Sequence, residues 1–274
     1  MTSSGSDGSA ETAVVKRGRL IGKGWIQGVA LVMLFGFTVM GLLAYRTYTD
    51  SMPQPDRVVT SSGETLFTTE DITAGQRLFQ ARGLMEYGSI LGHGGYLGQD
   101  FTAEYLRLEA TSVGDQLAAE GVADPATATR DMLRTNRYDP STGVLTWTDE
   151  QVTAYNEAVA HYTRLFGPEA HDHGLKPDLI TDPTEVRQVT AFFGWTAWGS
   201  AAQRPGLDYS YTNNWPPEPL VGNAPTGDLM IWSVLSLVVL IGGTGGMFAI
   251  YGRWSRKIGW RSEEAPGLSF RQPG

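Results

Sequence analysis

The sequence predicts a mainly α membrane protein in which two transmembrane helices flank an extracytoplasmic helical domain. Three observations predict it. Two uncharged apolar runs stand at 24–45 and 229–251, basic residues cluster just outside both, and the long stretch between them reads as a series of capped amphipathic helices.

The first run, Gly24 to Tyr45, is interrupted only by Gln27 and Thr38, and the second, Leu229 to Tyr251, is likewise uncharged. Inside lipid every backbone group must find its partner within the segment, so a helix of roughly 20 apolar residues is the unit that crosses. Trp25, Tyr45, Trp232 and Tyr251 stand near the ends of these runs, where amphipathic rings favour the interface. A cleaved signal peptide is the competing reading of the first run. Its apolar stretch exceeds the roughly 7–15 residues of a signal core, and Arg46-Thr47-Tyr48 follows where small residues would be needed, so an uncleaved anchor is expected.

Basic flanks remain on the cytoplasmic side. Lys16, Arg17, Arg19 and Lys23 precede the first run, and Arg253, Arg256, Lys257 and Arg261 follow the second. The segment between carries 25 acidic against 12 basic residues. The expected organisation is a disordered cytoplasmic tail at 1–23, transmembrane helices at 24–45 and 229–251, an extracytoplasmic domain at 46–228, and a cytoplasmic tail or truncated loop at 252–274. The expected location is the cytoplasmic membrane, with both termini inside.

Composition narrows the function classes. A net charge of −8 over 274 residues argues against a nucleic-acid partner, which would require a basic face. The chain has no cysteine, which removes disulfides, thiolate metal centres and thioether-linked haem. Its four histidines, His93, His161, His171 and His173, all lie outside the apolar runs, so the two helices cannot hold a haem between them. His171-Asp172-His173 reads either as a metal pair or as a solvated turn, and His161 as a helix packing residue.

Within the domain, 51–63 reads as a linker. Thr69 is expected to cap a helix running through Arg82, and Thr102 another that carries Tyr105, Leu106, Leu108, Val113 and Leu117. Asp124-Pro125 opens a third, because proline suits a first turn. Tyr138 to Trp147 reads as a turn or hairpin, and Thr148-Asp-Glu-Gln151 as a capping box starting a helix to about Phe166. Asp182-Pro183 starts the last soluble helix, which reaches Trp198 and brings Phe192, Phe193 and Trp195 to bury. Residues 203–227, rich in Pro, Asn and Gly, lead back to the second apolar run.

The stretch from Ala74 to Phe101 carries the most information. Six glycines fall between Gly83 and Gly98 inclusive, marking turns and close approaches. The stretch resembles the haem-attachment region of the cytochrome c subunit of bacterial nitric oxide reductases, in which Cys-x-x-Cys-His is followed by Leu-Gly-Glu-Gly-Ala-Tyr. Leu91-Gly92-His93-Gly94-Gly95-Tyr96 matches the later part, while Leu84-Met85-Glu86-Tyr87-Gly88 stands in the place of the attachment motif. That replacement is similar to the N-terminal region of the single-chain quinol-dependent nitric oxide reductases, which carry a haem-free cytochrome-c-like domain. Gly98 to Tyr105, Phe193 to Trp198, Thr212 to Pro216 and Pro225 to Asp228 also resemble that family.

The resemblance implies an N-terminal, non-catalytic portion that braces a multi-span catalytic bundle reducing two NO to N2O, with electrons from a membrane quinol. No cofactor is expected in this chain; haem b, non-haem iron and calcium are implied for the catalytic part, whose spans are not in this sequence. The resemblance further implies that the Gly94 carbonyl and Tyr96 phenol oxygen face the calcium, completed by the catalytic part. Packing against the partner is the plainer role for Tyr96. Gly242 and Gly246, with Gly243 and Gly245, form a small-residue face on the second span that suits helix docking, general glycine tolerance being the alternative. The expected partners are the catalytic portion and the lipid membrane, with a homodimer also open. A membrane-anchored binding or sensory module is the competing function.

Overall fold

The structure, a computed structural model, describes residues 23–49 and 51–254, so the expectations for 1–22 and 255–274 lie outside the described residues. The chain divides into two units. The larger is Thr47–Ser233, and the smaller takes the residues on either side.

In the smaller unit, helix α1 spans Lys23–Thr49, and helix α8, which begins in the larger unit, spans Gly227–Trp254. Both are long and apolar enough to cross a membrane, with mean hydropathies of 2.1 and 2.0 in their most apolar windows and none of either window buried. At about 1.5 Å per residue, each exceeds the roughly 30 Å of hydrocarbon by a turn or more. The surplus carries the polar ends, Arg46 on α1 and Asp228 on α8.

The larger unit joins a small sheet to a helical body. Strands β1 (Arg57–Val59), β2 (Thr65–Thr68), β5 (Tyr138–Asp139) and β6 (Val144–Thr146) form a sheet in the order β2-β1-β6-β5. β1 pairs antiparallel with β2 and parallel with β6, with Val58 opposite Leu145. This corrects the reading of 51–63 as a linker. Val58 and Val59 are buried between a nearby partner, β2, and a distant one, β6, and a three-residue strand leaves no local periodicity to read. The hairpin expected at 138–147 is the β5–β6 pair.

Five longer helices follow their caps. α2 (Thr69–Ala81) is capped one residue earlier than expected, by Thr68. Its hydroxyl accepts from the Asp71 amide while the Asp71 carboxylate accepts from the Thr68 amide. After the single turn α3 (Leu84–Tyr87), α4 (Phe101–Ala119) is capped by Asp100 rather than Thr102. Thr102 is fully buried and its hydroxyl bonds to that of Thr196. α5 (Pro125–Arg134) starts at Asp124-Pro125, and α6 (Asp149–Phe166) starts with the Thr148/Gln151 capping box. α7 (Pro183–Ala201) is capped by Asp182, which accepts from the amides of Thr184 and Glu185.

α7 forms the axis of the core. It packs against α2, α4 and α6, and 13 of its 19 residues are buried, more than a surface helix stripe provides. Phe192 and Phe193 are buried as expected, and Trp195 is half-buried. The chain entering the domain is seated on the same helix. Trp195 donates its indole N–H to the Pro53 carbonyl at 3.0 Å, and Met52 lies so close to Gly199 that a Cβ there would overlap its Sδ.

Candidate functional site

In the segment that the resemblance sets in the place of a haem-attachment motif, Leu84 and Gly88 are buried, Tyr87 is half-buried, and Met85 and Glu86 are exposed. Gly83, at φ 71°, turns the chain out of α2 and into α3. Leu84 is fully buried, and Tyr87 leans on Phe101 at a ring separation of 6.3 Å. Around them, α2, α4, α6 and α7 each supply rings. Phe79 meets Phe101 edge-on at 5.8 Å, Phe101 stacks on Phe193 at 4.7 Å, and Tyr162 meets Phe193 edge-on at 5.1 Å and stacks on Phe166 at 5.5 Å. Such pairs contribute about 0.5–1.5 kcal/mol each beyond the burial of their area. Burial, reinforced by the Glu104 carboxylate, holds the Tyr162 phenol well above its ordinary pKa, and it donates to Glu104 at 3.2 Å.

These residues do not fit a covalently held haem. There is no thiol to attach one, and the nearby ligand types face elsewhere. His93 is exposed, Met85 is 48% exposed, and His161 is half-buried with its Nε2 3.2 Å from Glu104. His161 is thus the packing residue expected of it. His171 and His173 lie exposed on a 3₁₀ turn, Ala170–His173. Among the described residues no group of three or more histidine, aspartate or glutamate side chains is arranged to hold a metal.

The glycine-rich loop that follows is a small ordered platform. Strands β3 (Ser89–Ile90) and β4 (His93–Gly94) pair across a turn in which Leu91 and Gly92 both have positive φ. Asp100 fastens the turn, one carboxylate oxygen accepting from the Gly92 amide at 2.6 Å and from the Ser89 hydroxyl at 2.8 Å, while the other caps α4. Trp215 donates its indole N–H to the Leu91 carbonyl at 3.0 Å, and the Leu91 amide donates to Thr102. Gly94 and Gly95 then run hard against α3. The Gly95 amide donates to the Met85 and Gly88 carbonyls, and a Cβ would overlap the Glu86 oxygen at Gly95 and the Gly88 oxygen at Gly94.

This platform presents two large side chains to solvent. Tyr96 and Leu97 are 85% and 86% exposed, and the Tyr96 hydroxyl donates to the Gly92 carbonyl at 3.3 Å. Gly94 and Tyr96 therefore belong to one rigid loop, which can offer a carbonyl and a phenol oxygen, the hard donors calcium takes. A calcium site needs six to eight such oxygens, so this pair would be a contribution and not a site. On α8, Gly242 and Gly246 face open space, with nothing within 4 Å of a Cβ built at either.

Sequence reasoning missed Asp100 and Trp215. Asp100 has a signal, since Asp100-Phe-Thr-Ala-Glu104 places a capping aspartate just ahead of the apolar run. Trp215 falls in the Thr212 to Pro216 stretch of the resemblance, but its hydrogen-bond partner lies 124 residues away and nothing local points to it.

A family model for the NorB cytochrome c-like domain of nitric oxide reductase matches residues 55–217, more than half of the chain. No curated protein matches the chain.

Proposed function

The chain belongs to the family of the NorB cytochrome c-like domain of nitric oxide reductase, and on that premise we propose that it is the N-terminal, non-catalytic portion of a quinol-dependent nitric oxide reductase. Its role is nitric oxide reductase-related and its setting a membrane. The finer reading is that it braces a separate multi-span bundle in which two NO become N2O.

One observation supports this reading: Leu84 and Tyr87, which the resemblance sets in the place of the attachment motif, pack onto a core that contains the Phe101–Phe193 stack. A domain packed in this way has no relay for electrons from a soluble cytochrome, which leaves a membrane quinol as donor to the bundle. The domain then serves as a scaffold. Its loop from Leu91 to Leu97 would rest on the bundle, with the Gly94 carbonyl and the Tyr96 phenol oxygen oriented toward a calcium whose remaining ligands come from the partner. When bound, that ion would supply charge neutralisation at the junction.

In this reading the domain lies outside the cytoplasmic membrane with both termini inside, as the basic flanks favour. The open face at Gly242 and Gly246 receives a helix of the bundle, since small residues allow backbones to approach where no water drives association. The test is affinity purification of the full chain from its native membrane in mild detergent. A haem-bearing multi-span protein should co-purify, and Gly242→Leu with Gly246→Leu should reduce its yield at least several-fold. A folded chain that recovers no haem protein would overturn the reading.

A further inference from the structure

Helix α4 carries a carboxyl group that the scaffold role leaves unused. Glu109 is 2% exposed, among Tyr105, Leu106, Ala110 and Val113 of its own helix. Its described hydrogen-bond partner is the Gln151 carboxamide, whose Nε2 donates to Glu109 Oε1 at 2.9 Å. Gln151 is itself buried and belongs to the capping box of α6. Its Oε1 accepts from the Thr148 amide at 3.3 Å, and its own amide donates to the Thr148 hydroxyl at 3.4 Å. One carboxamide therefore joins Glu109 to the first turn of the neighbouring helix.

Among the described residues no cation pairs with Glu109 in this seam. Arg130, Asp131 and Arg134 on α5, Glu150 on α6, and Glu185 and Arg187 on α7 occupy exposed or half-buried positions, and none of them hydrogen-bonds to it. The group that feels its charge is the Tyr105 phenol one turn away, itself fully buried. The Tyr105 hydroxyl and the Trp147 indole N–H are both buried without a hydrogen-bond partner, and both rings border Gly194 of α7. A carboxylate charge taken out of water without a counter-ion is more costly than its neutral form, so such a group holds its proton.

We infer that Glu109 is a proton-operated latch in the seam between α4 and α6: neutral, it lets the apolar seam close around it, and ionised, it leaves an uncompensated buried charge that loosens the packing of α4 on α6 even though the Gln151 bond tightens. Burial pushes its pKa up to about 7, with the Gln151 hydrogen bond pulling the other way. The sign follows from linkage. The native state holds the proton more tightly than the unfolded chain, so the stabilisation is complete below the unfolded pKa near 4.5 and is lost as pH rises through about 7. The latch is a property of the domain alone and operates with or without a partner.

The experiment is thermal unfolding of the full chain in detergent between pH 5 and 8.5, wild type beside Glu109→Gln, with infrared spectra of the native protein over the same range. The wild-type Tm should fall about 5–10 °C more than that of the variant across this interval. A carboxylic-acid carbonyl band should be present at pH 6 in the wild type, bleach above neutrality, and be missing from Glu109→Gln. If that variant does not fold, Gln151→Leu gives a second reading, because loss of the bond that favours the charged form should move the bleaching to higher pH. Parallel Tm profiles, or a wild type with no protonated carboxyl at pH 6, would overturn the inference.

Discussion

Phe101 lies flat on Phe193, the two ring centroids 4.7 Å apart and their planes within 7° of parallel. One ring opens α4 and the other stands midway along α7, and both are fully buried. This contact ties the start of α4 to α7 in the domain core. Its loss should be costly. Phe101→Ala removes a ring that also touches Phe79, Tyr87, Tyr162 and Phe166, and should destabilise the domain by about 3–5 kcal/mol, read as a lower Tm of the detergent-solubilised chain.

Asp100 joins two structures that would otherwise be independent, the start of α4 and the β3–β4 turn. Asp100→Ala should remove a helix cap worth about 1 kcal/mol and leave the Gly92 amide and Ser89 hydroxyl without their acceptor, for a total of about 2–3 kcal/mol. Chemical denaturation measures the total, and amide exchange should show the loss of protection concentrated between residues 89 and 103. Thr102→Val serves as the comparison, because it removes the Thr196 and Leu91 hydrogen bonds and leaves the cap of α4 and the Gly92 and Ser89 bonds in place.

The exposed tip and the closely packed base of the same loop should respond differently. Tyr96→Phe should leave Tm unchanged, since its hydroxyl makes one long, solvent-exposed bond, yet it should weaken recovery of the partner if the phenol oxygen serves the junction. Gly95→Ala forces a Cβ against the Glu86 backbone oxygen and should cost about 2 kcal/mol or more, with the loop displaced. Equal effects of the two substitutions on Tm would contradict this division.

Because the chain lacks cysteine, single thiols can report orientation without background. Ser62→Cys, on an exposed turn of the domain, should react with a membrane-impermeant maleimide added to intact spheroplasts. Ser4→Cys, in the basic-flanked tail, should react only after the membrane is opened. The reverse pattern would invert the expected topology.

Much of the helical body is legible in the sequence because its signals are local. Asp124-Pro125, Thr148 with Gln151, and Asp182-Pro183 sit where α5, α6 and α7 begin. Thr68 and Thr69 are equivalent as candidate caps in the sequence, and only the reciprocal bond with Asp71 separates them. Thr102 resembles a cap by residue type, yet its hydroxyl packs inward against Thr196. Arg57 to Val59 escape a sequence reading for a deeper reason. Three residues have no period, and what makes them a strand is pairing with β2 on one side and with residues 144–146 on the other.

The candidate site divides along the same line. Gly94, Tyr96 and the replaced attachment motif can be found by their order in the chain. The aromatic stack, the Asp100 fastening and the Trp215 bond each join residues distant in sequence or hidden by local ambiguity. Glu109 is legible in principle. It falls four residues after Tyr105 and four before Val113, on the stripe that α4 buries.

The seating of Met52 on Gly199, beside the indole of Trp195, carries a mechanical meaning. A force drawing on the chain at residue 51 would meet the C-terminal half of the domain's principal helix and not a slack leader. The entry to the domain is therefore anchored, and a side chain larger than hydrogen at position 199 would have to displace the Met52 side chain from its seat.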